Sequence, residues 1–190
     1  MSERHTQLLQ EEKLLRKQNR LNNEFVSACR LGNLDLIKKH VDMGHDVNNK
    51  NEDGKTGLMT ATLHEQLHVV SYLIQQRATD VSIIGGHYDG WNAIHYAARY
   101  NTKDVDILRL LLNRKPPGHM HITGRREVIN KMDKDGYTPL DRAYARNIPS
   151  EKHIRGQIIT VLKEFGGKAN AYDKNGMWVG KGNGDLNTVK

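Results

Sequence analysis

The chain has a single cysteine, Cys29, among its 190 residues. It therefore cannot form an internal disulfide framework, and it suits a reducing compartment. Long apolar runs are also missing, because the longest aliphatic run is the three leucines at 110–112, far too short to span a membrane. The first twenty residues are polar and charged, so we expect no secretory leader. These absences predict a soluble, cytoplasmic protein.

The sequence also has few features of an enzyme. Catalysis needs a pocket with paired polar groups, and we find no nucleophile–base pair and no glycine loop that follows a strand. Lys181 lies between two glycines, but no Ser or Thr follows it and no helix begins there, so it does not mark a phosphate-binding loop. We expect no catalytic activity and no cofactor.

The net charge of +7 is unevenly distributed. Residues 114–131 carry five bases and one acid, whereas residues 24–113 carry nine bases and eleven acids. A protein that binds a phosphate backbone normally presents a basic face along its whole length. The charge pattern therefore disfavours nucleic acid as the partner.

A turn followed by the start of a helix recurs along the chain. In the clearest copy, residues 135–143, a glycine supplies the tight turn, Thr138 can cap the helix, and Pro139 takes the first helical position. The turn glycines are 36, 46 and 40 residues apart, as expected for a unit of about 33 residues with insertions. The series is Gly54, Gly90, Gly136 and Gly176.

On these residues the chain resembles the ankyrin-repeat family, whose unit is a β-turn, a Thr-Pro-Leu-His helix start and a second helix. Asp141 stands in place of the histidine in the clearest copy. The resemblance covers about residues 22–178 and implies an all-α ankyrin-repeat α-solenoid with short β-hairpin turns. We place the repeats at about 23–50, 51–86, 87–130 and 131–172, with a closing turn up to residue 178.

The flanking segments receive separate predictions. Residues 6–23 form a charged helical pattern in which Leu8 and Leu15, and likewise Leu14 and Leu21, are seven apart. We interpret residues 1–22 as an N-terminal capping helix that packs on the first repeat. A short coiled coil that dimerises the protein is the alternative, but two heptads are too few to support it, so we expect a monomer. Residues 179–190 are predicted to be a flexible tail.

The repeat alignment also assigns roles to several histidines. His64, Glu65 and His68 have the spacing of a zinc protease, in which both histidines lie on one helix. In the family, however, residues 64–66 would form the turn between two helices, which separates the imidazoles, so we predict no metal site. His95 takes the place of the family histidine that hydrogen-bonds the turn backbone, and we expect a structural role.

The resemblance implies a partner-binding concave surface built from turn tips and first helices. Trp91 and Tyr137 directly follow turn glycines, so we expect both rings to face outward as interface anchors. We interpret residues 114–126 as an irregular loop, because it contains two prolines and two glycines, and leave open whether it is functional or mobile. The candidate partner-binding residues are Lys55, Tyr88, Trp91, Tyr96, Arg99, Tyr100, Tyr137 and Arg142, and the candidate basic loop contains Arg114, Lys115, Arg125 and Arg126.

Two functions are compatible with this sequence. The first is a non-catalytic protein–protein interaction module that acts as a cytosolic adaptor, an inhibitor, or a bacterial effector delivered into a host cytosol. The alternative is a module for RNA or a small phosphorylated ligand, with Trp91 or Tyr137 stacking on a base and Lys55 or the basic loop contacting phosphate. A steep loss of affinity with salt would distinguish the second from the first.

Overall fold

The computed structural model describes residues 3–86, 89–113, 122–146, 148–173, 175 and 177–179, apart from the side chains of residues 3 and 122–125. In these residues the chain folds into helices joined by turns. The helices are α1 (Glu3–Leu31), α2 (Leu34–Asp42), α3 (Gly57–Leu63), α4 (Leu67–Gln75), α5 (Ala93–Tyr100), α6 (Asp106–Asn113), α7 (Ile122–Ile129), α8 (Pro139–Tyr144) and α9 (Lys152–Glu164), with a 3₁₀ turn at Pro149–Glu151.

The helices stack in two parallel rows. In one row α1 packs on α3, α3 on α5, and α5 on α8, while in the other α4 packs on α6 and α6 on α9. A short hairpin closed by one antiparallel bridge precedes each of the pairs α3–α4 and α5–α6, and a further one follows α9. The bridges join Lys50 to Thr56, Gly85 to Trp91, and Tyr172 to Trp178. This arrangement confirms the predicted all-α solenoid with short hairpin turns.

The first helices of three repeats begin with the same local chemistry. Thr56, Asn92 and Thr138 each accept the backbone N–H three residues later, at 3.1 to 3.3 Å, which satisfies one of the free donors at a helix N-terminus. The glycines two residues before these caps have φ angles of 67° to 81°, a conformation that favours glycine. The recurring sequence turn is therefore a recurring structural turn.

A continuous apolar core runs between the two rows. Ala97 and Ala98 are buried and let α5 lie close to its neighbours, while Leu108 and Leu111 fill the space beneath α6. Cys29 is also buried in this core, and burial raises the pKa of its thiol to about 12. Cys29 is therefore a small core residue of this fold.

Helix α1 differs from the predicted cap. It runs without a break from Glu3 to Leu31, so no structural boundary occurs at residue 22. Phe25 and Val26 pack in the core, but residues 4–20 are exposed, and Leu14 is 68% exposed. The predicted helix is present, but residues 4–20 do not pack over the first repeat. The reason is that neither glycine nor proline occurs between residues 3 and 31, so nothing turns the chain back onto the array.

The interpretation of residues 114–126 as an irregular loop is wrong at its C-terminal end. Helix α7 begins at Ile122 and includes Gly124, which a helix tolerates at a cost of roughly 1 kcal/mol. Val128 and Ile129 anchor α7 in the core. The side-chain amide of Asn130 donates to the Gly166 carbonyl at 3.1 Å. These tertiary contacts stabilise a helix that the local sequence, with Gly124 in it, did not predict.

The predicted tail, residues 179–190, lies outside the described residues except for Val179. Within the part of the chain that the structure describes, no helix has both the length and the apolar character needed to cross a bilayer.

Candidate partner-binding surface

The candidate site lies on the side of the array that carries the hairpin tips and the helices α3, α5 and α8, which we call the turn face. The tips are held by one repeated hydrogen bond. Asn51, Asp133 and Asp173 each accept, through a side-chain oxygen, the backbone N–H four residues later at 2.9 Å. Because the side chain closes the turn, each tip has a fixed conformation. The turn face therefore presents its residues from a rigid scaffold.

The prediction that Trp91 and Tyr137 face outward is wrong. Their side chains are only 6% and 2% exposed. The Arg142 guanidinium lies between the two rings, 5.0 Å from the Trp91 ring centroid and 4.6 Å from that of Tyr137. The Trp91 ring enters the space between repeats, where it stacks on Arg142 of the next repeat. These rings join the repeats and leave little surface for a partner.

Arg142 is buried with these rings and is held by two carboxylates. Its Nε donates to Asp133 Oδ2 and a terminal guanidinium nitrogen to Asp135 Oδ2, both at 2.6 Å. Burial raises the pKa of Asp133, although the Tyr137 N–H and the Arg142 charge act in the opposite direction. Arg142 is therefore part of the contact between repeats. The prediction that it lies on the exposed surface is wrong.

Tyr96 is also buried, contrary to the predicted surface, and its hydroxyl donates to Asp89 Oδ2 at 2.9 Å. Burial and the Asp89 charge both raise the pKa of Tyr96, so the phenol stays protonated. Tyr100, by contrast, is 43% exposed. Its ring lies 5.7 Å from the Trp91 ring and 5.5 Å from the Arg99 guanidinium. Tyr100 is thus an exposed aromatic ring on a packed aromatic base.

Lys55 and Arg99 are the other predicted residues that stay partly exposed on the turn face. Tyr88, Arg114 and Lys115 lie outside the described residues. Arg126 is exposed on α7; the backbone of Arg125 belongs to the same helix, but its side chain is not described. The part of the predicted basic loop that the structure describes is therefore helical.

The zinc-protease spacing does not place its histidines on one helix. Helix α3 ends at Leu63, His64 follows it, and His68 lies in α4. His68 Nε2 is 2.9 Å from the carbonyl oxygen of Gly32. The predicted separation is confirmed. Among the residues that the structure describes, no group of three or more His, Cys, Asp or Glu side chains is placed to hold a metal ion.

His95 has the structural contacts predicted for it. Its ring is fully buried; Nδ1 lies 2.8 Å from Asn92 Oδ1, and Nε2 lies 3.3 Å from the Tyr137 carbonyl oxygen. Burial, helped by the nearby Arg142 charge, lowers its pKa to about 3 against the opposing effect of the hydrogen bond to the Tyr137 backbone. His95 therefore links the turns of two repeats as a neutral ring.

Acid should weaken the fold through His95. Its folded pKa of about 3 lies below the unfolded value of about 6.5, so in this range the unfolded chain binds a proton that the folded chain does not. The contribution is complete above pH 6.5 and is lost by up to about 1.4 kcal/mol per pH unit as the pH falls toward 3. Urea melts of His95→Gln at about pH 7.5 and about pH 5 should show a smaller acid loss than the parent chain. His5→Gln on the exposed part of α1 is the control, and an equal acid loss in all three proteins would contradict the assignment.

Some important residues of this face were missed by the sequence analysis. They are the carboxylates Asp89, Asp133 and Asp135, whose negative charges offset the positive charges of this face, and the cation Arg30 at the end of α1. Asp89 and Asp135 immediately precede a turn glycine, so the repeat itself contained a signal for them. Nothing in the sequence indicated that Arg30 would reach this face, because that depends on how α1 packs on α3.

Comparisons with known proteins agree with this architecture. The rat ankyrin repeat and SAM domain-containing protein 6 is 29% identical over 149 residues, which cover 76% of this chain and 15% of the rat protein. The putative ankyrin repeat protein YahD of Escherichia coli strain K12 is 25% identical over 177 residues, which cover 80% of this chain and 84% of that protein. The chain thus spans a small part of the rat relative and most of the bacterial one.

The family of ankyrin repeats, in three copies, matches residues 25–123, which are just over half of the sequence. The matched part includes the C-terminal end of α1 and the helices α2 to α6. Helices α8 and α9 continue the same stacking beyond it. On this match and on its repeated hairpin and helix-pair architecture, the chain belongs to the ankyrin-repeat family.

Proposed function

We propose that this chain is a non-catalytic module that binds a partner protein through its turn face, as a cytoplasmic adaptor, an inhibitor or a delivered bacterial effector. Ankyrin repeats generally serve as protein–protein interaction modules, and the family is generally non-enzymatic. The rigid hairpin tips support this role, because a surface that is ordered before binding loses less entropy when it binds.

The observation that carries the proposal is the position of Tyr100. An exposed aromatic ring with a polar tip is a favoured interface anchor. Tyr100 is supported by Trp91 and Tyr96 at ring distances of 5.7 and 6.4 Å, and Arg99 lies beside it. This packing restricts the motion of the Tyr100 ring in the unbound protein. A partner can therefore cover Tyr100 with little further loss of side-chain freedom.

The geometry gives less support to the RNA or phosphate alternative. Stacking on a base needs an accessible ring, whereas Trp91 and Tyr137 are buried against Arg142. The same face carries Asp89 and Asp135, whose charges oppose a phosphate backbone. Exposing either ring would break the contact between repeats.

The proposal predicts that Tyr100 is an affinity anchor and not a folding residue. The partner would be captured from lysate on the immobilised chain, identified, and titrated by calorimetry. Tyr100→Ala should weaken it by more than about 2 kcal/mol, or roughly thirtyfold, with little change in thermal stability. Leu67→Ala, at an exposed apolar residue on α4 in the second row, is the matched control and should bind like the parent chain.

The opposite pattern would refute this location of the site. A loss of affinity in Leu67→Ala but not in Tyr100→Ala would place the binding surface on the second row of helices. Salt gives a separate test of partner class. A mild change between low and moderate salt fits a protein, whereas a loss of roughly a thousandfold or more between about 50 and 200 mM salt indicates nucleic acid.

A further inference from the structure

A cleft of about 320 Å³ opens between the C-terminal part of α1, the first hairpin tip and α3. It lies at the end of the turn face that includes Lys55. Pockets that hold drug-sized ligands range from roughly 300 to 1,000 Å³, so this cleft is at the small end. Its size suits one side chain of a partner better than a cofactor.

Two cations line this cleft from different elements. Arg30 comes from α1 and Lys55 from the hairpin tip. Among the described residues, neither side chain forms an ion pair with a carboxylate. Asp53 supplies the one carboxylate among the lining residues, and the amide of Asn51 donates to it at 3.3 Å. The cleft therefore has an excess of one positive charge when its histidine is neutral.

Two further side chains line the cleft together with these cations. His64 lines it from the end of α3, and its pKa is lowered by burial and then by the charges of Arg30 and Lys55. Thr60 also lines it and is 5% exposed, and its hydroxyl has no hydrogen-bond partner among the described residues. A buried hydroxyl without a partner is costly, and a bound acceptor would remove that cost.

We infer that this cleft is a subsite for the carboxylate of one acidic side chain in the partner protein, held between Arg30 and Lys55. The inference rests on the proposed function and specifies the chemistry of the partner. A single carboxylate matches the excess of one positive charge. A phosphoryl group carries roughly 1.5 to 2 negative charges at neutral pH and would leave the cleft with a net negative charge.

The probe for this subsite is an end-capped hexaglutamate peptide, titrated into the full isotope-labelled chain and followed by NMR. The peptide should shift the amide signals of Thr60 and His64, and it should raise the pKa of His64 because an added anion offsets the two cations. Arg30→Gln and Lys55→Gln should each weaken peptide binding about tenfold, as expected for a lost charged hydrogen bond. Lys17→Gln on the exposed part of α1 is the matched control and should bind like the parent chain.

Arg30→Gln and Lys55→Gln should also have an effect in the absence of any ligand. Removing either cation should raise the pKa of His64 in the free protein, because each charge disfavours the imidazolium. Thermal melts check that each variant is folded.

Three outcomes would overturn the inference: no shift at His64 or Thr60 up to tens of millimolar peptide, an equal loss in Lys17→Gln and Lys55→Gln, or a stronger response to a phosphoserine peptide than to hexaglutamate. Partner capture with Tyr100→Ala is measured separately. Failure of the subsite can therefore be distinguished from failure of the proposed function.

Discussion

Replacing Tyr137 with alanine should lower the free energy of unfolding by about 3 to 5 kcal/mol, as the loss of a buried aromatic ring does. The ring is 2% exposed and covers the Arg142 guanidinium at 4.6 Å. Its removal leaves a cavity between two repeats and takes away one of the two rings that enclose the cation. The same Arg142 cation contacts Trp91 of the preceding repeat, so loss of the Tyr137 ring should also weaken the contact between these two repeats and their cooperativity. Urea unfolding followed by circular dichroism measures the effect.

Two further variants distinguish the effect of losing the ring from that of losing the hydroxyl and from that of removing a tyrosine at the surface. Tyr137→Phe keeps the stacking ring and should lose much less than Tyr137→Ala. Tyr100→Ala removes the same type of side chain from a site that is 43% exposed, and it should change stability little. A near-parental melt for Tyr137→Ala would show that the ring lies outward, as the sequence suggested.

The repeated turns were predictable because their chemistry is local. A glycine with positive φ, a capping Thr or Asn and a following apolar helix lie within ten residues, so each copy could be recognised by itself. The helix pairs follow from the same repetition, since each pair must bury its apolar face against the next. His95 and the separated histidines His64 and His68 were placed correctly because the repeat fixed which residues are helical and which are turn.

The direction of the Trp91 ring could not be predicted, because it depends on a residue elsewhere in the chain. Trp91 and Arg142 are 51 positions apart and meet only when α5 packs on α8. A position after a turn glycine is compatible with either an outward or an inter-repeat ring. The Arg142 cation favours the inter-repeat orientation, because it packs against the ring there. Helix α7 was not predicted for a similar reason. It is stabilised by the burial of Val128 and Ile129 in the core and not by local helix propensity.

Glu151→Ala should also cost about 3 to 5 kcal/mol, because it leaves a buried cation without its counter-ion. Arg146 follows α8, is 1% exposed, and donates from Nε to Glu151 Oε2 at 2.6 Å. A second guanidinium nitrogen donates to the Asn101 carbonyl oxygen at 2.5 Å, at the end of α5. The pair therefore fastens the connection between α8 and α9 to the preceding repeat. No sequence feature indicated it, since the three residues lie in separate turns.

A double-mutant cycle distinguishes this pair from ordinary surface charges. Arg146→Met with Glu151→Ala removes both charges and should recover part of the stability lost in Glu151→Ala alone, since replacing a buried ion pair with apolar groups is often close to neutral. Glu164→Ala is the matched control: its partner Arg109 lies 3.4 Å away, and the two side chains are 49% and 45% exposed. Water screens that pair, so its loss should cost no more than about 1 kcal/mol. Equal losses for Glu151→Ala and Glu164→Ala in urea melts would mean that Arg146 reaches water when its partner is removed, and that the α8–α9 connection does not depend on this ion pair.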